Sequence, residues 1–402
     1  MKLLQLTLIL SAIWILTACE EAPTLSFENP STEALEAKIV KIPSSSFTGG
    51  TADQRPILLE DGEPIPSQII DSNNDGTWDQ VLVLLDFEAG EQKDLNYGWI
   101  AAGDYPSFEK RTNVYLGYSA ERNNQFTAVD DHMQPADHKP QDYPLRYQSE
   151  GPVWESDVIA FRTYFDARNG KDIFGKTRPD IRAEKIGYNE DYHKLQDWGM
   201  DVLKVGTSLG SGALALLKND SIYRLGVTET SHFKILEKGP LMTSFKLTYT
   251  GWDIDGQNYG LEETISIYAG KRWFESEVKL TGAATAADTL VTGIVTLKSP
   301  TIKTMDTDGH ALVYTHGKQG ENNDYLGMAL FTKEGHFAGF DTAPTEGPGV
   351  TNTQLVYLKA IDNTYHFYFY SGWEGDNKDF IKQDFFEQAI LSEVSNLNSN
   401  IN

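Results

Sequence analysis

The chain has 402 residues, 40% of them hydrophobic and 23% charged, with 34 glycines and 16 prolines. That composition belongs to a globular protein and excludes a coiled coil, a collagen or a long disordered tail. Fifty-eight acidic residues against 34 basic ones give a net charge of −24, a field that repels phosphate backbones and anionic lipid and argues against nucleic acid as a partner, although a local basic site can still hold an anion.

In chain order, Met1-Lys2 supplies one positive charge, Leu3 to Leu16 is apolar, and Leu16-Thr17-Ala18-Cys19 follows. This predicts a bacterial lipoprotein leader over residues 1–18, with the thiol of Cys19 taking the lipid. Cys19 is the only cysteine, so the mature protein has no internal disulfide. Glu20-Glu21 resembles the surface-export signal of lipoproteins from polysaccharide-degrading Gram-negative bacteria. The expected location is the outer membrane, on the cell surface or the periplasmic face, with membrane contact through the lipid alone. The alternative is an ordinary secretory leader that happens to contain a cysteine.

Residues 19–34 are expected to be a tether. Over 35–120, short apolar runs such as Ile57-Leu58-Leu59 and Val81 to Leu85 alternate with Gly, Pro, Asp and Asn, which predicts an N-terminal β subdomain. Residues 121–150 have little periodicity and read as a long loop. From 151 to 402 the strands lengthen. In Glu263 to Tyr268 and Trp273 to Leu280 apolar and polar residues alternate, as half-buried antiparallel strands require. Lys382 to Val394 alone is expected to be helical. The fold class is all-β, a large antiparallel two-sheet sandwich with few short helices.

Three segments are candidates for chemistry. Asp71, Asn73, Asp75 and Asp79 place oxygen side chains at alternate positions, with Gly76 sixth, which resembles a short calcium loop. Leu82 stands where an EF-hand needs its bidentate glutamate, and a solvated turn is the alternative. The second segment runs from Trp154 to Lys176. On a strand, Arg162, Tyr164 and Asp166 share one face, while Phe161, Thr163 and Phe165 share the other. A structural ion-pair ladder is the alternative there. The third is Tyr188 to Gly206, with Tyr192-His193, Trp198, Asp201 and Lys204 close together; His193 is the residue type that exchanges protons near neutral pH. No nucleophile elbow, His-Glu-x-x-His zinc motif or phosphate loop is present.

Gly151-Pro152-Val153-Trp154-Glu155-Ser156-Asp157, Tyr164-Phe165-Asp166-x-Arg168-Asn169-x-Lys171-Asp172-Ile173-Phe174-Gly175-Lys176 and Asp197-Trp198-Gly199-Met200-Asp201-x-Leu203-Lys204-Val205-Gly206 together resemble a domain-of-unknown-function family of polysaccharide-utilisation lipoproteins that includes the ulvan oligosaccharide dehydratase. The stretch from Glu262 to Leu280 is similar to the supersandwich of sugar mutarotases and some polysaccharide lyases. The resemblance implies an enzyme that removes water from a non-reducing-end uronic acid of an anionic oligosaccharide, in concert with an unsaturated glucuronyl hydrolase. Such chemistry needs a cation for the sugar carboxylate, a base for the C5 proton and an acid for the C4 hydroxyl. Arg162 or Lys204 fits the first role, His193 or Tyr164 the second, and Glu155 or Asp201 the third. Trp154, Asp157, Lys176 and Trp198 are the expected substrate-binding residues, and calcium is the one cofactor suggested. His193 and Arg162 are expected to meet at one pocket. The competing readings are a non-catalytic glycan-binding lipoprotein and an epimerase-like enzyme.

Overall fold

The computed structural model describes residues 22–73, 75–139, 143–285 and 287–401. The leader and the lipidation position Cys19 lie outside the described residues. Among those residues no helix is long and apolar enough to cross a membrane.

Two small antiparallel sheets form the N-terminal unit. Thr24–Glu28, Gln92–Ala101, Gln54–Glu60 and Glu63–Pro64 make one, and Leu35–Pro43, Gln80–Phe87 and Ser67–Ile70 make the other. Their alternating apolar residues, including Leu58, Leu95 and Tyr97 from the first and Val40, Ile42 and Val83 from the second, close into one small core. The first strand begins within the segment expected to be a tether. At the other end, Thr112–Tyr115 pairs with Val153–Ser156 and so leaves the N-terminal unit for the main body.

The main body is the expected large sandwich. A nine-stranded antiparallel sheet carries the long strands Met242–Ile254, Gln257–Tyr268 and Trp273–Gly282 at its centre. It faces two five-stranded sheets. The first contains Thr112–Tyr115, Val153–Ser156, Ile159–Thr163, Lys171–Lys176 and Gly199–Asp201, and the second contains Ala215–Lys218, Ser221–Arg224, Thr289–Val295, Phe337–Thr342 and Thr353–Leu358. Trp154, Phe161 and Ile173 from the first, Ile294 and Val356 from the second, and Phe245, Phe274 and Phe369 from the large sheet share one core. The strand period of two sends every alternate residue the other way. On the large sheet's outer face Tyr314, Phe331 and Tyr370 pack under Phe386, Ile390 and Val394 of the helix Gln383–Asn398. Within the expected loop 121–150, Asp131–Met133 pairs with Thr230–Lys238 and adds an edge strand to the large sheet.

Candidate functional site

The outer face of the first five-stranded sheet carries the chemistry. Register places Arg162 opposite Asp172, and Phe174 opposite Asp201, so these residues point away from the core occupied by Phe161 and Ile173. Arg162 is fully buried. Its guanidinium pairs with the Asp172 carboxylate, donates to the hydroxyls of Tyr164 at 2.8 Å and Tyr192 at 3.1 Å, and lies 3.5 Å from Asp201 Oδ2. Tyr164 donates onward to Asp172 at 3.2 Å. Glu150 stands 3.8 Å from Arg162 and accepts from Arg168 at 2.8 Å.

The segment between Lys176 and Gly199 folds back over this face, and Ala183, Ile186 and Trp198 pack on Val153, Ala160 and Phe174. Glu155 anchors it by accepting the backbone amides of Arg182 at 2.8 Å and Ala183 at 2.5 Å. The Asp201 amide donates to the Tyr192 carbonyl at 2.8 Å. That bond sets His193, whose side chain is 65% exposed, with Nδ1 3.5 Å from Asp201 Oδ2. Ser149 and Glu150 both adopt left-handed φ values, 52° and 62°. Strain of this kind costs on the order of 1–3 kcal/mol per residue and persists only where the surroundings impose it. Here the Ser149 hydroxyl donates to the Ile186 carbonyl at 2.6 Å, and its carbonyl accepts from Arg162 at 3.3 Å.

Burial, and then the neighbouring Asp172, push the Asp201 carboxyl well above the ordinary carboxylate range. The local charge accords with that direction: Arg162 and Arg168 face Glu150, Asp166, Asp172 and Asp201, two cations against four carboxylates. Burial also raises the phenols of Tyr164 and Tyr192, although the Arg162 charge opposes it.

In front of this cluster lies an open cleft of about 510 Å³, lined by Asn124, Phe126, Tyr143, Tyr188, Tyr192 and His193 among others. His193 and Tyr192 therefore join the buried network to the cleft. The cleft also carries Glu190, paired with Arg182, and Asp191, paired with Lys194.

His193, Arg162, Tyr164 and Asp201 lie in one cluster, but of these four only His193 lines the cleft. Arg162 is enclosed by its own partners and offers no open fork to a ligand. Glu155 and Lys176 form a closed buried pair at 2.5 Å, on the same face as Arg162 but enclosed under the 177–198 segment. Trp154 and Trp198 are fully buried and present no ring face to a sugar. Asp157 joins Arg111 at 2.8 Å and the Gly270 amide at 2.7 Å, a structural tie between loops. Lys204 is exposed on the chain just beyond Asp201. Glu150, Tyr192 and the cleft residues Asn124, Phe126 and Tyr143 were not among the expected site residues. Only Tyr192 had a sequence signal, its place beside His193.

The Asp71–Asp79 loop folds on itself. Asp71 accepts the Gly76 amide at 2.7 Å, Asp75 accepts the Thr77 amide at 2.8 Å, and Asp79 accepts the Ser72 hydroxyl at 2.6 Å. Among the described residues no group of three or more carboxylate, histidine or cysteine side chains is placed to hold a metal ion, and the loop's carboxylates are engaged by its own amides and hydroxyl. The melting temperature is expected to be the same in calcium and in chelator. A calcium-dependent rise would show that the loop closes round the ion.

A protein of Formosa agariphila described as uncharacterized protein P7 is 22% identical over 356 residues, covering 83% of this chain and 80% of that protein. Among solved structures, an alpha-mannosidase from Enterococcus faecalis V583 superposes with a TM-score of 0.48 at 10% identity, over 95% of this chain and 46% of that one. A glycosyl hydrolase family 38 protein from Enterococcus faecalis gives 0.46 at 8% identity, over 95% and 47%. The chain thus spans about half the length of those two proteins. Residues 27–402 match the sequence family described as domain of unknown function, DUF4861, and the chain belongs to that family.

Proposed function

We propose that the protein is a carbohydrate-active lyase, an oligosaccharide dehydratase that removes water across C4 and C5 of a non-reducing-end uronic acid in ulvan-type chains. The observation that carries this reading is an exposed histidine at the wall of an aromatic-lined cleft, backed at 3.5 Å by the buried Asp201 carboxyl. Phe126, Tyr143 and Tyr188 supply apolar faces of the kind on which sugar rings stack. His193 is the catalytic residue. Its Nδ1 faces Asp201 Oδ2 at 3.5 Å, and the reaction uses the tautomer protonated at Nδ1, which leaves Nε2 to take the proton from C5. The C5–H electrons form the C4=C5 double bond, the C4–O bond breaks, and the hydroxyl leaves with that proton as water. The product, a 4,5-unsaturated uronyl residue, is the class of substrate that an unsaturated glucuronyl hydrolase consumes.

The test is incubation with uronate-ended oligosaccharides. The expected result is loss of the mass of one water together with a new conjugated-alkene absorbance. Binding with no change of mass would favour a glycan-binding protein, and equal mass with altered stereochemistry would favour an epimerase.

A further inference from the structure

Arg224 closes the strand Ser221–Arg224 of the second five-stranded sheet and meets the first sheet at Gly170. A Cβ placed on Gly170 would lie 2.8 Å from Arg224 Nη2 and 3.3 Å from Tyr164 Cδ2. The guanidinium therefore rests against the bare glycine, next to the tyrosine that bonds Arg162. The other two arginines at this tyrosine are committed. Arg162 has Asp172, Tyr164 and Tyr192. Arg168 grips Asp166 with contacts of 2.9, 3.1 and 2.5 Å and holds Glu150 as well. Asp166, whose charge reaches Arg224, is thereby already engaged.

Arg224 itself is half-buried. Among the described residues its side chain makes no hydrogen bond or ion pair, and its Nε is buried with no acceptor. An arginine taken partly out of water and given no counter-charge bears a desolvation cost that an arriving anion offsets. Burial lowers its proton affinity for the same reason. Its planar fork matches carboxylate and sulfate in geometry.

We propose that Arg224, beside Tyr164 at Gly170, is an anion-recognition residue that holds a carboxylate or sulfate substituent of the saccharide. The proposal rests on the carbohydrate reading above and assigns to Arg224 the charge-matching role that the enclosed Arg162 does not serve.

The experiment compares wild type with Arg224→Gln and Arg224→Lys in two measurements. The first is thermal melting with added acetate or inorganic sulfate against chloride at equal ionic strength. The second is calorimetric binding of uronate-ended oligosaccharides, of the same saccharides with the carboxyl reduced to an alcohol, and of their desulfated forms. Wild type should be stabilised by the anions and Arg224→Gln should not. The Gln variant should bind the acidic saccharide roughly 10- to 100-fold more weakly, the loss expected for a hydrogen bond to a charged group, and Lys should retain part of the affinity. The arm that removes the difference between wild type and Gln identifies the group, carboxyl or sulfate. If the Gln variant fails to fold, Gly170→Ala, which displaces the guanidinium and keeps the charge, should lose the anion response. Equal anion response and affinity in wild type and variant, or no anion response in wild type, overturns the assignment. Loss of anion binding in Arg224→Gln by a protein that releases no water from any uronate would leave Arg224 in place and refute the elimination instead.

Discussion

Asp201→Asn is expected to lower turnover by roughly 10²- to 10⁴-fold while leaving KM close to wild type. The carboxamide is nearly isosteric with the protonated carboxyl. Its oxygen is fixed by the Leu203 amide, which Asp201 Oδ1 accepts at 3.1 Å, so its NH₂ must face His193 Nδ1. That contact reverses the tautomer: Nδ1 becomes the acceptor, Nε2 carries the hydrogen, and the imidazole no longer has a free lone pair for the C5 proton. Asp201 is thus a positioning residue, and stability separates its role from a structural one. A carboxyl whose pKa is raised on folding contributes stability that is present at low pH and is lost as pH rises from the ordinary carboxylate range towards the raised value. Asparagine cannot ionise, so the variant should equal or exceed wild type in stability above that window. Denaturant unfolding at several pH values, alongside steady-state kinetics, checks both halves. Turnover within threefold of wild type would remove Asp201 from the mechanism.

Glu155→Ala is expected to be the most damaging single change to the fold. Glu155 and Lys176 are both enclosed, and the carboxylate also accepts two backbone amides. Removing it leaves a buried ammonium with only the carbonyls of Ser156 and Asp180, and breaking such a pair costs about 3–5 kcal/mol. The 177–198 segment should loosen with it, because those two amides begin its course over the sheet, and activity should fall through His193. Replacing both residues by methionine should recover much of the stability, since no charge is then left unpaired. Chemical denaturation measures this directly, and a Glu155→Ala protein as stable as wild type would contradict the account.

The strands were legible where one face of a sheet is buried. Alternation in Glu263 to Tyr268 marks the centre of the large sheet because burial enforces the period of two. The same rule placed Arg162 and Tyr164 on one face, which is correct. It could not show that the face would be roofed. The roof is a segment with almost no regular structure, fixed by Glu155 and by the left-handed Ser149-Glu150 pair, and neither feature leaves a periodic trace. Hence Trp154 and Trp198, which by composition alone suit sugar stacking, are core residues, while the aromatic wall of the cleft comes from Phe126 and Tyr143 in a stretch that reads only as polar loop. Arg224 was invisible for a different reason: its significance lies in lacking a partner, which only the packing of the two five-stranded sheets at Gly170 reveals.

The most direct measurement is a crystal structure of Asp201→Asn with a uronate-ended oligosaccharide bound, the slow variant holding the substrate intact. The non-reducing-end ring should occupy the cleft with C5 within about 3.5 Å of His193 Nε2, the separation of a near-attack geometry. A saccharide bound elsewhere, or one whose C5 lies beyond the reach of the imidazole, would contradict the assignment of this cleft as the place of elimination.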